Sequence, residues 1–242
     1  MTTAEFSDAF DTLLNSYSAK GLTGEEASSQ TVVLDEYEKS LYLTKAQEEV
    51  VLSLYTGKNS NGESFESTEE MRRNLSSLIA EKTLRPIANT QGIPIGMGTH
   101  SLFFTLPEDL WFLTYESVIV RKGKCDCKSS MQVYPTKQDE YQSIKDNPFR
   151  GANERRALRL DLSEGNVEII CRYLVSEYYI RYIKKLTPII LTTLPDDLSI
   201  NGEKTETGCK LADSLHQKIL EVAVAMALRS KGIGINKESE NN

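Results

Sequence analysis

The sequence predicts an α+β protein: an N-terminal helical bundle, joined by a C-terminal helix, with a small, mainly antiparallel β-sheet in the middle of the chain. Three observations predict this class. Helix-capping pairs recur through the first third, apolar residues alternate in the middle, and a final segment has helical periodicity. We divide the chain into a helical region at 1–88, a β-rich region with one short helix at 89–205, a C-terminal helix at 206–232 and a flexible tail at 233–242.

Composition excludes several classes of protein. The chain has 242 residues, 39% of them hydrophobic, and a net charge of -7. No apolar run approaches the roughly 18 residues that a transmembrane helix needs, so we expect no membrane contact. The first eleven residues contain no basic side chain, which is not typical of a secretory signal. The acidic balance argues against a protein that coats nucleic acid.

Four pairs with capping-box spacing predict the N-terminal helices. The pair Thr2 and Glu5 precedes a helix with an apolar face from Phe6 to Tyr17. The next two pairs predict either one long helix over 25–56 or two helices with a bend at Thr44. The last pair opens a helix that ends at Arg85 and Pro86. The second to fourth pairs are Thr23 with Glu26, Thr44 with Gln47, and Ser67 with Glu70.

Strand patterns begin after residue 100. Residues 102–121 predict two aromatic-rich strands around Pro107, paired as a hairpin, and 137–146 predict a short helix. Asn201-Gly202 is typical of a tight hairpin turn. Three further strands are predicted at 157–162, 167–173 and 178–185, and a final helix at 212–231 with Leu215, Ile219, Val222 and Met226 inward.

Charge is unevenly distributed along the chain. Residues 1–84 carry a net charge of -8 and residues 121–185 carry +5. Such complementarity suits a head-to-tail interface between copies that closes into a ring. The basic residues have three interpretations: a protein interface, a contact with the DNA backbone, or a solvated surface. The aromatic residues suit either a core or an interface. The candidate interface residues are Arg150, Arg155, Arg156, Arg159, Lys184, Lys185, Trp111 and Phe112.

Chemically active groups are sparse in the sequence. His100 and His216 have no catalytic neighbours in sequence, and the glycine-rich segment 91–99 lacks the phosphate-loop pattern. We therefore predict no catalytic residue, no metal and no cofactor. Two alternatives stay open. One is a zinc site built from Cys125, Cys127, Cys171 and Cys209; the other is a metal-dependent nuclease using Asp161, Glu168 or Glu177.

Four long segments carry a resemblance to a known group of proteins. They cover residues 32–58, 133–162, 167–211 and 214–229, and include the strings VVLDEYEKSLYLTKAQEEVV, VYPTKQDEYQSIKDNPFRGANERRALRLDL, VEIICRYLVSEYYIRYIKKLTP and SLHQKILEVAVAMALR. With these segments the chain resembles a virion structural protein of crAss-like and related Bacteroidales bacteriophages. The resemblance spans nearly the whole chain.

The resemblance implies a neck ring protein, a head-to-tail adaptor that joins the portal to the tail. Proteins of that kind are not enzymes; they assemble as twelvefold rings through which phage DNA passes. The implied partners are further copies of the chain, the portal and other neck or tail ring proteins. The implied location is the virion neck, after synthesis in the host cytoplasm. A tail-tube, capsid accessory or cargo protein is the alternative within the same kind of virus.

Overall fold

The computed structural model describes residues 1–21, 33–57, 69–87, 101–122 and 127–232. Within these ranges it has five α-helices and seven strands, and the prediction of an α+β fold is confirmed. The chain divides into two compact units. Unit 1 comprises Met1–Leu78 and Leu186–Asn242, and unit 2 comprises Ile79–Lys185. The predicted region boundaries at 88, 205 and 232 stay a prediction.

Unit 1 contains four of these helices, and unit 2 contains one helix and the seven strands. The helices of unit 1 are α1 (Thr3–Gly21), α2 (Glu36–Thr56), α3 (Glu69–Leu75) and α5 (His216–Ser230). Unit 2 consists of β1 (Ile79–Leu84), β2 (Ser101–Thr105), β3 (Leu110–Lys122), β4 (Cys127–Pro135), α4 (Gln138–Ile144), β5 (Arg156–Asp161), β6 (Asn166–Ile170) and β7 (Leu174–Lys184).

Capping boxes start α1 and α2. The predicted box at α1 is confirmed: the backbone N–H of Glu5 donates to Thr2 Oγ1 at 3.2 Å, and the N–H of Thr2 donates to Glu5 Oε2 at 2.8 Å. The box that starts α2 was missed by the sequence analysis and consists of Asp35 and Glu38. Thr23, Glu26 and Ser67, from the other predicted boxes, lie outside the described residues.

The predicted bend at Thr44 is wrong, because α2 runs without interruption from Glu36 to Thr56. Ser40, Thr44 and Gln47 lie one turn apart on its buried face, where they bind the backbone of a following segment. Ser40 Oγ accepts from the N–H of Leu191 at 3.0 Å, and Thr44 Oγ1 accepts from the N–H of Ile189 at 3.1 Å. Gln47 Nε2 donates to the carbonyl of residue 187 at 2.9 Å. The Thr-x-x-Gln pattern therefore docks residues 187–191 on α2.

The first and last helices pack together, as the predicted bundle required, because α5 contacts both α1 and α2. An ion pair also joins α1 to α2: the buried Lys39 on α2 has its Nζ 2.7 Å from the partly exposed Asp11 on α1, and 3.0 Å from Glu36 on its own helix. The predicted inward face of α5 is only partly correct, since Val222 and Met226 are half-buried. The buried face instead follows strict helical spacing through His216, Ile219, Leu220, Ala223, Val224, Ala227 and Leu228.

His216 is buried and fully hydrogen-bonded in unit 1. Its Nδ1 lies 3.1 Å from the ammonium of Met1, its Nε2 lies 3.2 Å from the carbonyl oxygen of Leu211, and its ring contacts Phe6. Burial, followed by the charge of the Met1 ammonium, lowers the pKa of His216, while Leu211 and Asp213 oppose this more weakly. The folded chain therefore holds this histidine in its neutral form.

We expect unit 1 to lose stability as the pH falls below 6.5, the ordinary pKa of histidine. In that range the unfolded chain takes up a proton at His216 and the folded chain does not, so the free energy of unfolding decreases. The measurement is helix unfolding in urea, followed by circular dichroism between about pH 7.5 and about pH 5.5. The control His216→Gln should show a weaker pH dependence. An equal pH dependence in both proteins would contradict the assignment.

Unit 2 is a curled, mixed seven-stranded sheet in the order β1-β7-β3-β4-β5-β6-β2. The residue Ile87, just after edge strand β1, forms a backbone bridge with Phe103 in the opposite edge strand β2. All seven strands contribute side chains to one core, among them Phe104, Val118, Ile169 and Tyr178. On the other face of β5 and β6, α4 packs Tyr141 and Ile144 against Leu158, Leu160 and Ile170.

Several sequence predictions fail in unit 2. Residues 79–84 form strand β1 and not the end of a helix, because they pair with β7 in register from Ile79–Ile183 to Leu84–Tyr178. Strands β2 and β3 do not form a hairpin: β2 pairs with β6, and β3 pairs with β4 and β7. The sheet is mixed, since β4 and β5 are parallel. Strand β4 was not predicted.

Candidate assembly surface

Trp111, Phe112, Lys184 and Lys185 come together where β3 begins and β7 ends. Leu110 is level with Lys184, and the N–H of Lys185 donates to the carbonyl of residue 109 at 2.7 Å. The rings of Trp111 and Phe112 stack with their centroids 4.8 Å apart, and both side chains are half-buried. This end of the sheet therefore combines a partly exposed aromatic pair with two lysines.

Arg150, Arg155 and Arg156 belong to a second surface, formed by the loop between α4 and β5. We call residues 147–156 the Phe149 loop. Sheet register places Arg156 level with Gln132 on β4, and Gln132 level with Ser117 in the middle of β3. The predicted basic residues therefore lie in two separate places on unit 2. Sequence analysis missed Phe149, although an aromatic residue inside the turn-forming string Asn-Pro-Phe-Arg-Gly was a usable signal.

The Phe149 loop is held by its own hydrogen bonds. Asn147 Oδ1 accepts from the N–H groups of Phe149 and Arg150, at 2.9 and 3.1 Å. Asn153 Oδ1 accepts likewise from the N–H groups of Arg155 and Arg156, at 2.9 and 3.0 Å. A Cβ atom at Gly151 would lie 2.7 Å from two backbone carbonyl oxygens, so only glycine allows this close turn.

The half-buried side chain of Arg156, at the start of β5, binds the loop. Its guanidinium lies 4.1 Å from the centre of the Tyr134 ring, and its Nη1 donates to the carbonyl oxygen of Phe149 at 3.0 Å. Arg172 Nε adds a bond to the carbonyl oxygen of Ala152 at 3.1 Å. The side chains of Arg150 and Arg155 are exposed. Arg156 and Arg172 thus position the loop, and Arg150 and Arg155 present positive charge to solvent.

Arg159 does not share this surface, contrary to the prediction that grouped it with the other arginines. Its side chain is only 10% exposed and forms an ion pair with Glu116. Its Nε lies 2.9 Å from Asp161 Oδ1, outside hydrogen-bond geometry, and its Nη2 lies 3.5 Å from Asp161 Oδ2. Tyr178 donates its hydroxyl proton to the other oxygen of Glu116. Side chains two positions apart on a strand share a face, so Arg159 on β5 points to the same side of the sheet as the core residue Ala157. There it meets Glu116 of β3.

Both ionisable partners of Glu116 have shifted pKa values. Burial, the largest single effect, would lower the pKa of Arg159, but Glu116, Tyr178 and Asp161 together outweigh it, and the pKa is raised. Burial, followed by the charge of Glu116, raises the pKa of Tyr178 far above its ordinary value. Arg159 is therefore charged and Tyr178 neutral at neutral pH, which makes the cluster a structural feature of unit 2.

The three carboxylates of the nuclease alternative are not gathered in one place. Asp161 is level with Val167, and Glu168 is level with Leu160, so the two carboxylates point to opposite faces of the sheet. Glu168 is buried and accepts a hydrogen bond from Ser101. Glu177 lies on β7, and two strands, β3 and β4, lie between it and β5. Within the described ranges no three acidic, histidine or cysteine side chains are grouped to hold a metal ion.

The cysteines of the zinc alternative are only partly described. Cys171 is buried, with its sulfur 3.8 Å from that of Met131. Cys209 donates to Gln47 Oε1 at 3.3 Å, and burial raises the pKa of its thiol. Cys125 and the side chain of Cys127 lie outside the described residues, as do His100 and segment 91–99.

Of the helices in the described part of the chain, none has the length and apolar character to cross a membrane.

The two units differ in charge. Residues 79–185 carry 16 basic and 13 acidic side chains, a net charge of +3. The rest of the chain, assigned to unit 1, carries 12 basic and 22 acidic side chains, a net charge of -10. The chain thus combines an acidic helical unit with a basic sheet unit and a hydrogen-bonded loop that exposes an aromatic residue. These features are typical of a protein that assembles with other proteins.

Comparison with known proteins identifies the kind of assembly. Residues 1–239 match the family model of phage tail ring protein 3/4. The chain is 45% identical over 234 residues to Ring protein 3 of Bacteroides phage crAss001, with 96% of each chain covered. It is 30% identical over 236 residues to Ring protein 4/5 of the same phage, covering 94% of this chain and 92% of the relative. The chain belongs to the phage tail ring protein 3/4 family, so the predicted resemblance is confirmed and the chain is a structural ring component of a virion.

Proposed function

We propose that this chain forms a homomeric ring of twelve copies in the neck of a crAss-like phage, joining the portal to the tail. The observation that carries the proposal is family membership over residues 1–239, together with 96% coverage of a relative named Ring protein 3. The neighbours in this assignment are the portal on one side and further ring proteins on the other. The chain acts there by contact and not by catalysis, after synthesis in the host cytoplasm.

The charges of the two units support this proposal. A cyclic ring of identical copies uses heterologous interfaces, in which one surface of a copy meets a different surface of the next. Two units of net charge -10 and +3 in one chain offer such a pair of surfaces. Opposite charges steer the encounter and fix the register of the copies. The net charge of -7 also suits a channel through which DNA passes, because a basic lining would hold the phosphates.

The test is the copy number of this chain relative to the portal, measured by quantitative mass spectrometry of purified particles. We expect a ratio near one, or a small whole multiple. A count in the hundreds would contradict the neck position and assign the chain to the tail tube or the shell. Absence from particles would refute the structural role. Incubating the purified chain with DNA and Mg²⁺ or Mn²⁺ tests the expected lack of nuclease activity.

A further inference from the structure

Phe149 is the most exposed aromatic side chain among the described residues, with 84% of its surface accessible. Single exposed apolar residues are ordinary on protein surfaces, so exposure alone means little. This one differs because both sides of its backbone are fixed. Its N–H donates to Asn147, and its carbonyl oxygen accepts from Arg156. The fold therefore presents the ring on a rigid base.

A rigid exposed phenylalanine has the properties of an interface anchor. Few residues carry most of the binding energy of an interface, and aromatic residues and arginines are prominent among them. A loop that is already ordered loses little conformational entropy on binding, which leaves more of the contact energy for affinity. Arg150 and Arg155, in the same loop as Phe149, form no ion pair with the described residues. They are available for carboxylates of a partner.

We propose that the Phe149 loop docks on unit 1 of a second copy of this chain. The inference rests on the proposed ring, which supplies identical neighbours, and it identifies the surface that joins them. Charge complementarity selects the occupant: the same loop carries two exposed arginines, Arg150 and Arg155, and unit 1 has a net charge of -10. In this arrangement the phenyl side chain of Phe149 enters an apolar site on the neighbouring copy, and Arg150 and Arg155 form ion pairs with acidic side chains around that site.

Competition during infection tests the anchor. Host cells carry a plasmid copy of the chain with Phe149→Ser, or with Phe149→Tyr as the matched control, and are infected with phage that carries the unchanged chain. The ratio of variant to unchanged peptide in purified particles is measured by mass spectrometry. We expect the serine variant to be incorporated about tenfold less than the tyrosine variant, as for an interface hot spot. Both purified variants should unfold like the parent because residue 149 is outside the core.

Charge and partner are tested in the same system. Arg150→Glu combined with Arg155→Glu should also be excluded from particles, whereas lysine at both positions should be accepted. Photo-crosslinking from p-benzoylphenylalanine at position 149 should give a species of twice the chain mass, with the crosslinked peptide in residues 1–78 or 186–232. Equal incorporation of the serine and tyrosine variants, or crosslinks to another virion protein, would overturn the proposal. Absence of the unchanged chain from particles would instead refute the ring.

Discussion

Replacing Arg159 with methionine should lower the free energy of unfolding of unit 2 by about 3–5 kcal/mol, because it leaves the carboxylate of Glu116 buried without its positive partner. The side chains of Arg159 and Glu116 are about nine-tenths buried, and Tyr178 supplies the other hydrogen bond to Glu116. The sole tryptophan of the chain, Trp111, is the second residue of strand β3. Its fluorescence during urea denaturation therefore reports the unfolding of unit 2.

Two further variants separate an unpaired buried charge from lost packing. Arg181→Met removes an exposed partner of Glu81 on neighbouring strands, and exposed pairs contribute little, so the urea midpoint should stay near that of the parent. The double variant Arg159→Met with Glu116→Gln should recover much of the lost stability, because the amide carries no charge and can still accept from Tyr178. A double variant as unstable as Arg159→Met alone would show that packing dominates.

Local signals predicted most of the elements. The Thr2–Glu5 box starts α1, and strands β5, β6 and β7 lie within a few residues of their predicted positions. The turn at Asn201-Gly202 has positive φ at both residues, 51° and 85°, as this dipeptide predicts. These features depend on neighbours in the sequence, and for that reason the sequence alone reveals them.

Long-range pairing overrides local preference where the predictions fail. Residues 79–84, Ile-Ala-Glu-Lys-Thr-Leu, contain good helix formers, but β7 offers a free edge about one hundred positions later and holds them as a strand. The parallel pairing of β4 with β5 needs a crossover, which α4 provides. The predicted short helix at 137–146 was the signal for that connection. Strand β4 itself, with Lys128, Ser130 and Gln132 on its outward face, was not recognisable as a strand.

In the candidate assembly surface, too, features set by sequence neighbours were predicted and features set by distant partners were not. Clustering in the sequence correctly indicated a basic loop, with Arg150 and Arg155 exposed. It could not separate Arg159, because the partner that buries it, Glu116, is 43 positions away on another strand. A weak signal existed: Glu116 falls in phase with the inward-facing Val118 and Val120. A charge at an inward position of a strand predicts a buried partner of opposite charge, although it does not identify that partner.

Replacing Phe10 with alanine should lower the free energy of unfolding of unit 1 by about 3–5 kcal/mol, the usual range for a fully buried phenylalanine in a core. Phe10 is 0% exposed on α1, the helix that packs against α5. The substitution leaves a cavity on the buried face of α1. Circular dichroism of the helices during urea denaturation measures the loss.

The matched control for Phe10→Ala is Leu52→Ala, which removes an apolar side chain from α2 in the same unit. Leu52 is 39% exposed, and its replacement should cost less stability, because more than a third of its surface stays in water in the folded chain and its side chain is smaller than that of phenylalanine. Equal losses in the two variants would mean that the contact of α1 with α5 adds little to unit 1. A larger loss of unfolding free energy in Phe10→Ala than in Leu52→Ala would show that the packing of α1 stabilises unit 1. A ring interface on unit 1 would then depend on this packing, because helices that separate cannot present a fixed acidic surface to a neighbour.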